Sequence, residues 1–177
     1  MRRIVYYVAS SLDGFISGLN DDISAFAQGG LCVEQYLSDL QSFNTVIMGR
    51  NTYEFGYKYG LEPGQPAYPH MKHFIFSNNL SFENPHEQVQ VQKLDSDFIR
   101  DLKGESGSDI YLCGGGVFSG WLLKEGLIDE IKLKLNPIVL GDGCKLFGDN
   151  PTNARFMLRD SKSYDDGMQL LTYQINT

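Results

Sequence analysis

The sequence has few cysteines, no long apolar run and a deficit of positive charge. Cys32, Cys113 and Cys144 are the three cysteines among 177 residues. An odd number with no C-x-x-C spacing argues against a disulfide framework and fits free thiols in a reducing compartment, so a cytoplasmic protein is expected. The apolar run near the start, residues 4–9, falls far short of the roughly 20 residues a membrane-spanning helix needs, and no membrane partner is expected. Arg2 and Arg3 precede that run, but it is too short for a secretory signal and Asp13 follows closely. Lys and Arg total 15 against 22 Asp and Glu, a net charge of −7. Affinity for nucleic acid is built from neutralised phosphates, so no nucleic-acid partner is expected, and any anionic ligand must meet a local positive group. His70 and His73 have H-x-x-H spacing, but His86 is distant and further ligands are absent, so no metal site is expected. No G-x-S-x-G nucleophile motif occurs.

What remains is a globular composition, 42% hydrophobic and 21% charged, which suits one domain over residues 1–177. Residues 4–9 form a continuous β-branched and apolar run bounded by Ser10-Ser11 and Asp13-Gly14, the pattern of a strand buried on both faces. Shorter runs at 46–48, 74–76, 89–91 and 110–113 read the same way. Between them, Tyr36, Leu37, Leu40 and Phe43 draw one apolar stripe on a helix over 34–43. Phe98, Ile99 and Leu102 do so behind Asp95 and Ser96, either of which can cap a helix. Val117, Phe118, Trp121 and Leu122 mark a further helix ending near Gly126. Alternating β and α elements imply crossover connections and a mainly parallel sheet. Later the period becomes two, at Ile131, Leu133 and Leu135 and again at Leu171, Tyr173 and Ile175. With the turn signal Asp165-Asp166-Gly167, this suggests a C-terminal antiparallel hairpin. The expected fold is α/β, a mixed and mainly parallel sheet with helices on both faces. Residues 55–72, rich in Gly and Pro, read as a loop that could wall or cover a pocket.

Ligands of open α/β sheets bind at the carboxyl ends of parallel strands. Two strand-to-helix turns carry the residues for that. In V-I-M-G-R-N-T-Y-E (46–54), Gly49 permits close backbone approach, amides entering a helix favour an anion, Thr52 adds a hydroxyl, and Arg50 supplies a planar cation. In L-C-G-G-G-V-F (112–118), Gly114, Gly115 and Gly116 leave bare backbone before a helix, a natural seat for pyrophosphate. The spacing does not match the G-x-G-x-x-G dinucleotide fingerprint, since Ser119 stands at the third glycine position. A third turn, S-S-L-D-G-F-I-S (10–17), follows the first strand. Three such loops at one sheet edge would form a cleft for a ligand with several phosphates and a flat ring.

These segments, in this order, resemble the dihydrofolate reductase superfamily, and within it the reductase domain of the bifunctional riboflavin-biosynthesis deaminase-reductase and its stand-alone relatives. Residues 46–54 look like the superfamily's M-G-R-x-T-x-E signature. Residues 110–138, with C-G-G-G-V-F and L-L-K-E-G-L-I-D-E, look like the second half of that reductase domain. The resemblance implies an NADPH cofactor. It implies Ala9 and Ile16 beside the nicotinamide, and Gly49, Arg50, Asn51 and Thr52 on the adenosine phosphates. It places Ser77 by the adenine ribose, and Gly114, Gly115, Gly116, Val117 and Phe118 over the pyrophosphate. It also implies a cis peptide bond between Gly114 and Gly115, and a homodimer. The activity it implies is hydride transfer to a small heterocyclic substrate. That substrate would be a dihydrofolate-like pterin or a pyrimidinone such as 5-amino-6-(5-phosphoribosylamino)uracil. The alternative is an inactive NADPH- or heterocycle-binding protein. The acid that dihydrofolate reductases carry on their first helix aligns with Val33; Glu34 and Asp39 are the carboxylates near enough to replace it as catalytic residues. Phe15 stands where the riboflavin-pathway reductases carry a basic residue after S-L-D-G.

Overall fold

The computed structural model describes residues 1–150 and 152–175. In chain order its elements are β1 (Ile4–Ser10), β2 (Phe15–Ser17), α1 (Leu31–Leu40), β3 (Thr45–Gly49), α2 (Arg50–Phe55), β4 (Lys72–Phe76) and β5 (Val89–Gln92). There follow α3 (Ser96–Gly104), β6 (Ile110–Gly114), α4 (Gly116–Lys124), β7 (Glu130–Leu135), β8 (Cys144–Lys145), β9 (Phe156–Ser163) and β10 (Gln169–Ile175). Eight strands form one sheet in the order β5-β4-β3-β6-β1-β7-β10-β9. From β5 to β7 all neighbours are parallel, and β10 and β9 close the edge as the antiparallel hairpin expected at the C-terminus.

The central strands are buried on both sides, and alternate residues feed two cores. Ile4, Tyr6, Ile47, Ile110 and Leu112 pack with Ile99, Leu102, Phe118 and Leu122 of α3 and α4. Val5, Tyr7, Val46, Met48 and Tyr111 pack on the opposite face with Cys32 and Leu40 of α1 and Tyr53 of α2. The sheet therefore has helices on both faces. Its topology sets the ends of β3, β6 and β1 side by side, so the three loops singled out in the sequence leave the same edge.

Local chemistry decides the boundaries. Asp95 caps α3, its carboxylate accepting from the amides of Asp97 at 2.9 Å and Phe98 at 3.4 Å. Helix α1 begins three residues before the apolar stripe suggests, after Gly30 with φ 94°. It ends at Leu40, and tightened turns then carry Phe43 onto the same stripe, its amide donating to the Leu40 carbonyl at 3.2 Å. The segment 10–17 reads as a turn in sequence but contains β2, which pairs with β8 in a separate two-stranded sheet. A three-residue strand has no period to read, and its partner lies far along the chain. Asp13 ties the same loops together, accepting from the Gly141 amide at 2.7 Å. No helix among the described residues is long and apolar enough to cross a membrane.

Segment 144–150 lies directly on α4, and two glycines one turn apart permit it. A Cβ on Gly116 would stand 2.1 Å from the Lys145 carbonyl oxygen, and one on Gly120 2.2 Å from that of Phe147. Asn150 fastens the contact, its Nδ2 donating to the Gly120 carbonyl at 2.6 Å. Gly120→Ala is expected to destabilise the protein by about 3 kcal/mol in urea denaturation, since backbone rather than a flexible side chain must move. Gly104→Ala, with nothing within 4 Å of the new methyl, should stay within about 0.5 kcal/mol of the parent.

Candidate active site

A cavity of about 590 Å³ opens at the shared edge of β1, β3 and β6. One half is made by the two strand-to-helix corners. Gly49, Arg50, Asn51 and Thr52 line it from the first corner, and Gly115, Gly116, Val117 and Phe118 from the second, with Ala9 and Ile16 alongside. The corners touch. A Cβ on Gly49 would lie 3.2 Å from Cβ of Phe118 and 4.0 Å from the Gly115 nitrogen, and one on Gly115 would lie 3.0 Å from Oγ1 of Thr52. These glycines therefore let the two turns meet at the cavity they line. The first-turn amides of α4, at residues that line the cavity, have no acceptor inside the helix. The Gly114-Gly115 peptide bond is cis. Arg50 is steered by Glu54, its Nε donating to Oε1 at 2.8 Å, which leaves both terminal nitrogens for a ligand. Trp121 also lines the cavity, stacked on Phe118 with centroids 6.0 Å apart.

The other half is phenolic. Tyr7, Tyr36, Tyr68, Tyr111 and Cys113 line it. Tyr36 and Tyr111 share a hydrogen bond of 2.7 Å between their hydroxyls, and Tyr68 hydroxyl lies 3.6 Å from Cys113 Sγ. Burial pushes the Tyr36 phenol up to about 12 and raises those of Tyr68 and Tyr111 well above the usual value, so these groups are neutral. Lys134 enters from β7, paired in register with Ala9. Its ammonium sits 3.5 Å from the centroid of the Tyr36 ring. Burial lowers its pKa to about 8. Among the described residues that line the cavity, the charged ones are Asp21, Arg50 and Lys134, and Asp21 is exposed.

Two of the cofactor residues expected from sequence and both expected catalytic carboxylates lie elsewhere. Gly114 ends β6 just behind the lining. Ser77 borders a separate groove, and its hydroxyl accepts from the amides of Asn79 at 3.2 Å and Leu80 at 3.1 Å. Glu34 is exposed in the first turn of α1, and its carboxylate does not line the cavity. Asp39 is engaged with its neighbours. Burial opposes its ionisation, but hydrogen bonds from Gln35, Lys132 and Tyr7 outweigh that and hold its carboxyl below the usual carboxylate range. Sequence reasoning missed Lys134 and the four tyrosines. The alternation of β7 places Lys134 on a defined face, but the identity of the rings across that face depends on pairings far apart in the chain.

Residues 55–72 contain a short 3₁₀ turn, Gly56–Tyr59, and supply Leu61, Ala67 and Tyr68 to the cavity wall. His73 anchors this wall. Its Nδ1 lies 3.0 Å from the Met71 carbonyl and its Nε2 accepts from the Tyr68 amide at 3.1 Å. A protonated ring would set an N–H against an N–H at Tyr68, and burial holds the pKa down at about 4. The H-x-x-H pair is thus bound to backbone, His70 Nε2 lying 3.0 Å from the Leu40 carbonyl.

The sheet order and the paired corners are those of a dihydrofolate reductase-like fold. Residues 2–170 match the family model of the RibD C-terminal domain, and the chain belongs to that family. It is 29% identical over 174 residues to YwjB, an uncharacterized protein of Bacillus subtilis (strain 168), covering 96% of each chain. Among solved structures it superimposes on a protein assigned to riboflavin biosynthesis from Shewanella sp. PV-4, with TM-score 0.82, 27% identity and 100% of both chains covered. Dihydrofolate reductase from Enterococcus faecalis, complexed with NADP(H), shares the fold at TM-score 0.66 and 14% identity, over 99% of this chain and 97% of the other.

Because the folded-state pKa of His73 is depressed, the unfolded chain binds a proton more readily below the ordinary histidine pKa. Stability is full above about pH 6.5 and falls as pH drops to about 4, by about 3 kcal/mol from this residue. Urea midpoints across that range should show the loss, and in His73→Gln the slope between pH 6.5 and 4.5 should be markedly shallower.

Proposed function

We propose that this chain is an NADPH-dependent reductase that transfers a hydride to a small heterocycle, a pterin or a pyrimidinone of the 5-amino-6-(5-phosphoribosylamino)uracil type. The observation that carries the reading is the contact between the corners at Gly49 and Gly115, which turns the α4 amides, Thr52 and Arg50 toward one cavity. That donor set suits a phosphorylated dinucleotide. The α4 amides and the Thr52 hydroxyl suit pyrophosphate oxygens, and the free edge of Arg50 suits a further phosphate. Family membership and the fold shared with an NADP(H)-complexed reductase support the same cofactor. When bound, the cofactor would supply the hydride. The chain's part is to hold it against Ala9 and Ile16, and to exclude water with the aromatic wall opposite. A homodimer in the cytoplasm completes the reading; the free thiols of Cys32, Cys113 and Cys144 are consistent with that compartment.

A second reading, a protein that binds NADPH or a heterocycle without turnover, is favoured by one observation. Neither Glu34 nor Asp39 presents a carboxylate to the cavity. NADPH oxidation with dihydrofolate and with the pyrimidinone separates the two, turnover supporting the first and binding without turnover the second.

Trp121 provides the binding assay. NADPH should quench its emission with micromolar affinity. Arg50→Ala should weaken NADPH about tenfold and NADH by less than threefold, since the loss is one charge-assisted phosphate contact. Equal weakening of both would remove Arg50 from the extra phosphate, and calorimetry should accompany the titration.

A further inference from the structure

Two lysines on one face of β7 meet different surroundings. Lys132 is neutralised, its Nζ 3.1 Å from Asp39 Oδ2, which also accepts from the Tyr7 hydroxyl at 3.1 Å. The side chain of Lys134, two residues on, makes no hydrogen bond or ion pair among the described residues; its ammonium lies over the Tyr36 ring face. The surrounding phenols each have a neighbour. Tyr36 bonds Tyr111, Tyr7 bonds Asp39, and Tyr68 lies against Cys113. Among the described residues, the cationic donor in this half of the cavity is the Lys134 ammonium, and it has no hydrogen-bond partner. Apart from exposed Asp21, no carboxylate among the described residues lines the cavity to accept from a ligand. A pterin presents an amino-amide edge of donors that needs such a carboxylate. The environment here has the reverse polarity.

We infer that Lys134 is the acceptor-side catalytic residue, and that it selects a flat, conjugated cyclic carbonyl over a pterin by donating to the carbonyl oxygen and protonating it. The inference rests on the reductase reading, which seats the nicotinamide by Ala9, the register partner of Lys134. In the step, the acceptor carbon gains a hydride from the reduced nicotinamide, directly or through conjugation. The carbonyl π pair moves to oxygen, and the oxygen takes a proton from the ammonium. Lys134 is left as the amine and regains its proton from solvent. The tyrosine rings supply flat apolar faces for a planar acceptor and exclude water, which strengthens the ammonium's interaction with developing negative charge.

The groups facing Lys134 account for its sensitivity to pH. Cys32 and Tyr36 face it from α1 and Cys113 from β6, all neutral near pH 7; on its own strand the charge of Lys132 is balanced by Asp39, reached also by Tyr7 of β1. With burial dominant, the ammonium is present below about pH 8 and lost above it.

The test uses menadione, a planar 1,4-dicarbonyl without ring donors, and dihydrofolate, with the parent, Lys134→Met and Lys134→Arg. NADPH affinity is measured first for each by calorimetry, and should agree within twofold. The parent should reduce menadione with kcat/KM at least tenfold above dihydrofolate, and the profile should fall above about pH 8. Lys134→Met should lower kcat at least tenfold and abolish that alkaline limb, and Lys134→Arg should restore part of kcat. Menadione turnover within threefold of the parent in Lys134→Met, preference for dihydrofolate, or NADPH binding with no menadione turnover would each overturn the assignment while leaving the cofactor site standing. Failure of the parent to bind NADPH would instead overturn the reductase reading beneath it.

Discussion

The meeting of two strand-to-helix corners is the constraint on which the site depends. Adjacent parallel strands β3 and β6 each end in glycine, and the helices that follow leave on opposite faces of the sheet. For both to start at the sheet edge, the Phe118 side chain must sit where a side chain on residue 49 would project, and the Thr52 hydroxyl must press against residue 115. Glycine is needed here for lack of volume rather than for an unusual φ at Gly49 or Gly115. Segment 144–150, clamped over Gly116 and Gly120, holds the start of α4 from the other side. The amides of α4 are thus presented by packing on two flanks.

The cavity is electrostatically divided. At the corners, helix amides and Arg50 make a region suited to phosphate in a protein whose net charge is −7. At the phenolic end stand four neutral tyrosines and one cation, lying over the face of Tyr36. His73 keeps Tyr68 in that wall through a contact that requires a neutral ring. The phenolic wall is therefore coupled to a buried imidazole outside the cavity.

Much of the fold was legible because its signals are local. Buried strands such as 46–48 and 110–113 declare themselves by continuous apolar residues, the Asp95 cap by its position before a periodic run, and the late hairpin by the change to period two. The corner motifs were legible too, since glycine, arginine and small polar residues between a strand and a helix have few other uses in combination. What escaped is non-local. The β2 pairing with β8, the clamp of 144–150 on α4, and the Tyr36–Tyr111 hydrogen bond join residues whose proximity follows only from the completed sheet. Asp39 shows the converse error. A carboxylate on the correct helix reads as a candidate acid, but Lys132 and Tyr7 across the sheet engage it.

The central claim is that the paired corners bind a phosphorylated nicotinamide carrier, and backbone amide NMR during titration with NADPH tests it residue by residue. The account predicts saturable shifts concentrated at residues 49–52 and 115–118, with smaller ones at Ala9 and Ile16 and none along β9 and β10. Shifts confined to another surface, or a spectrum unchanged at millimolar NADPH, would contradict it.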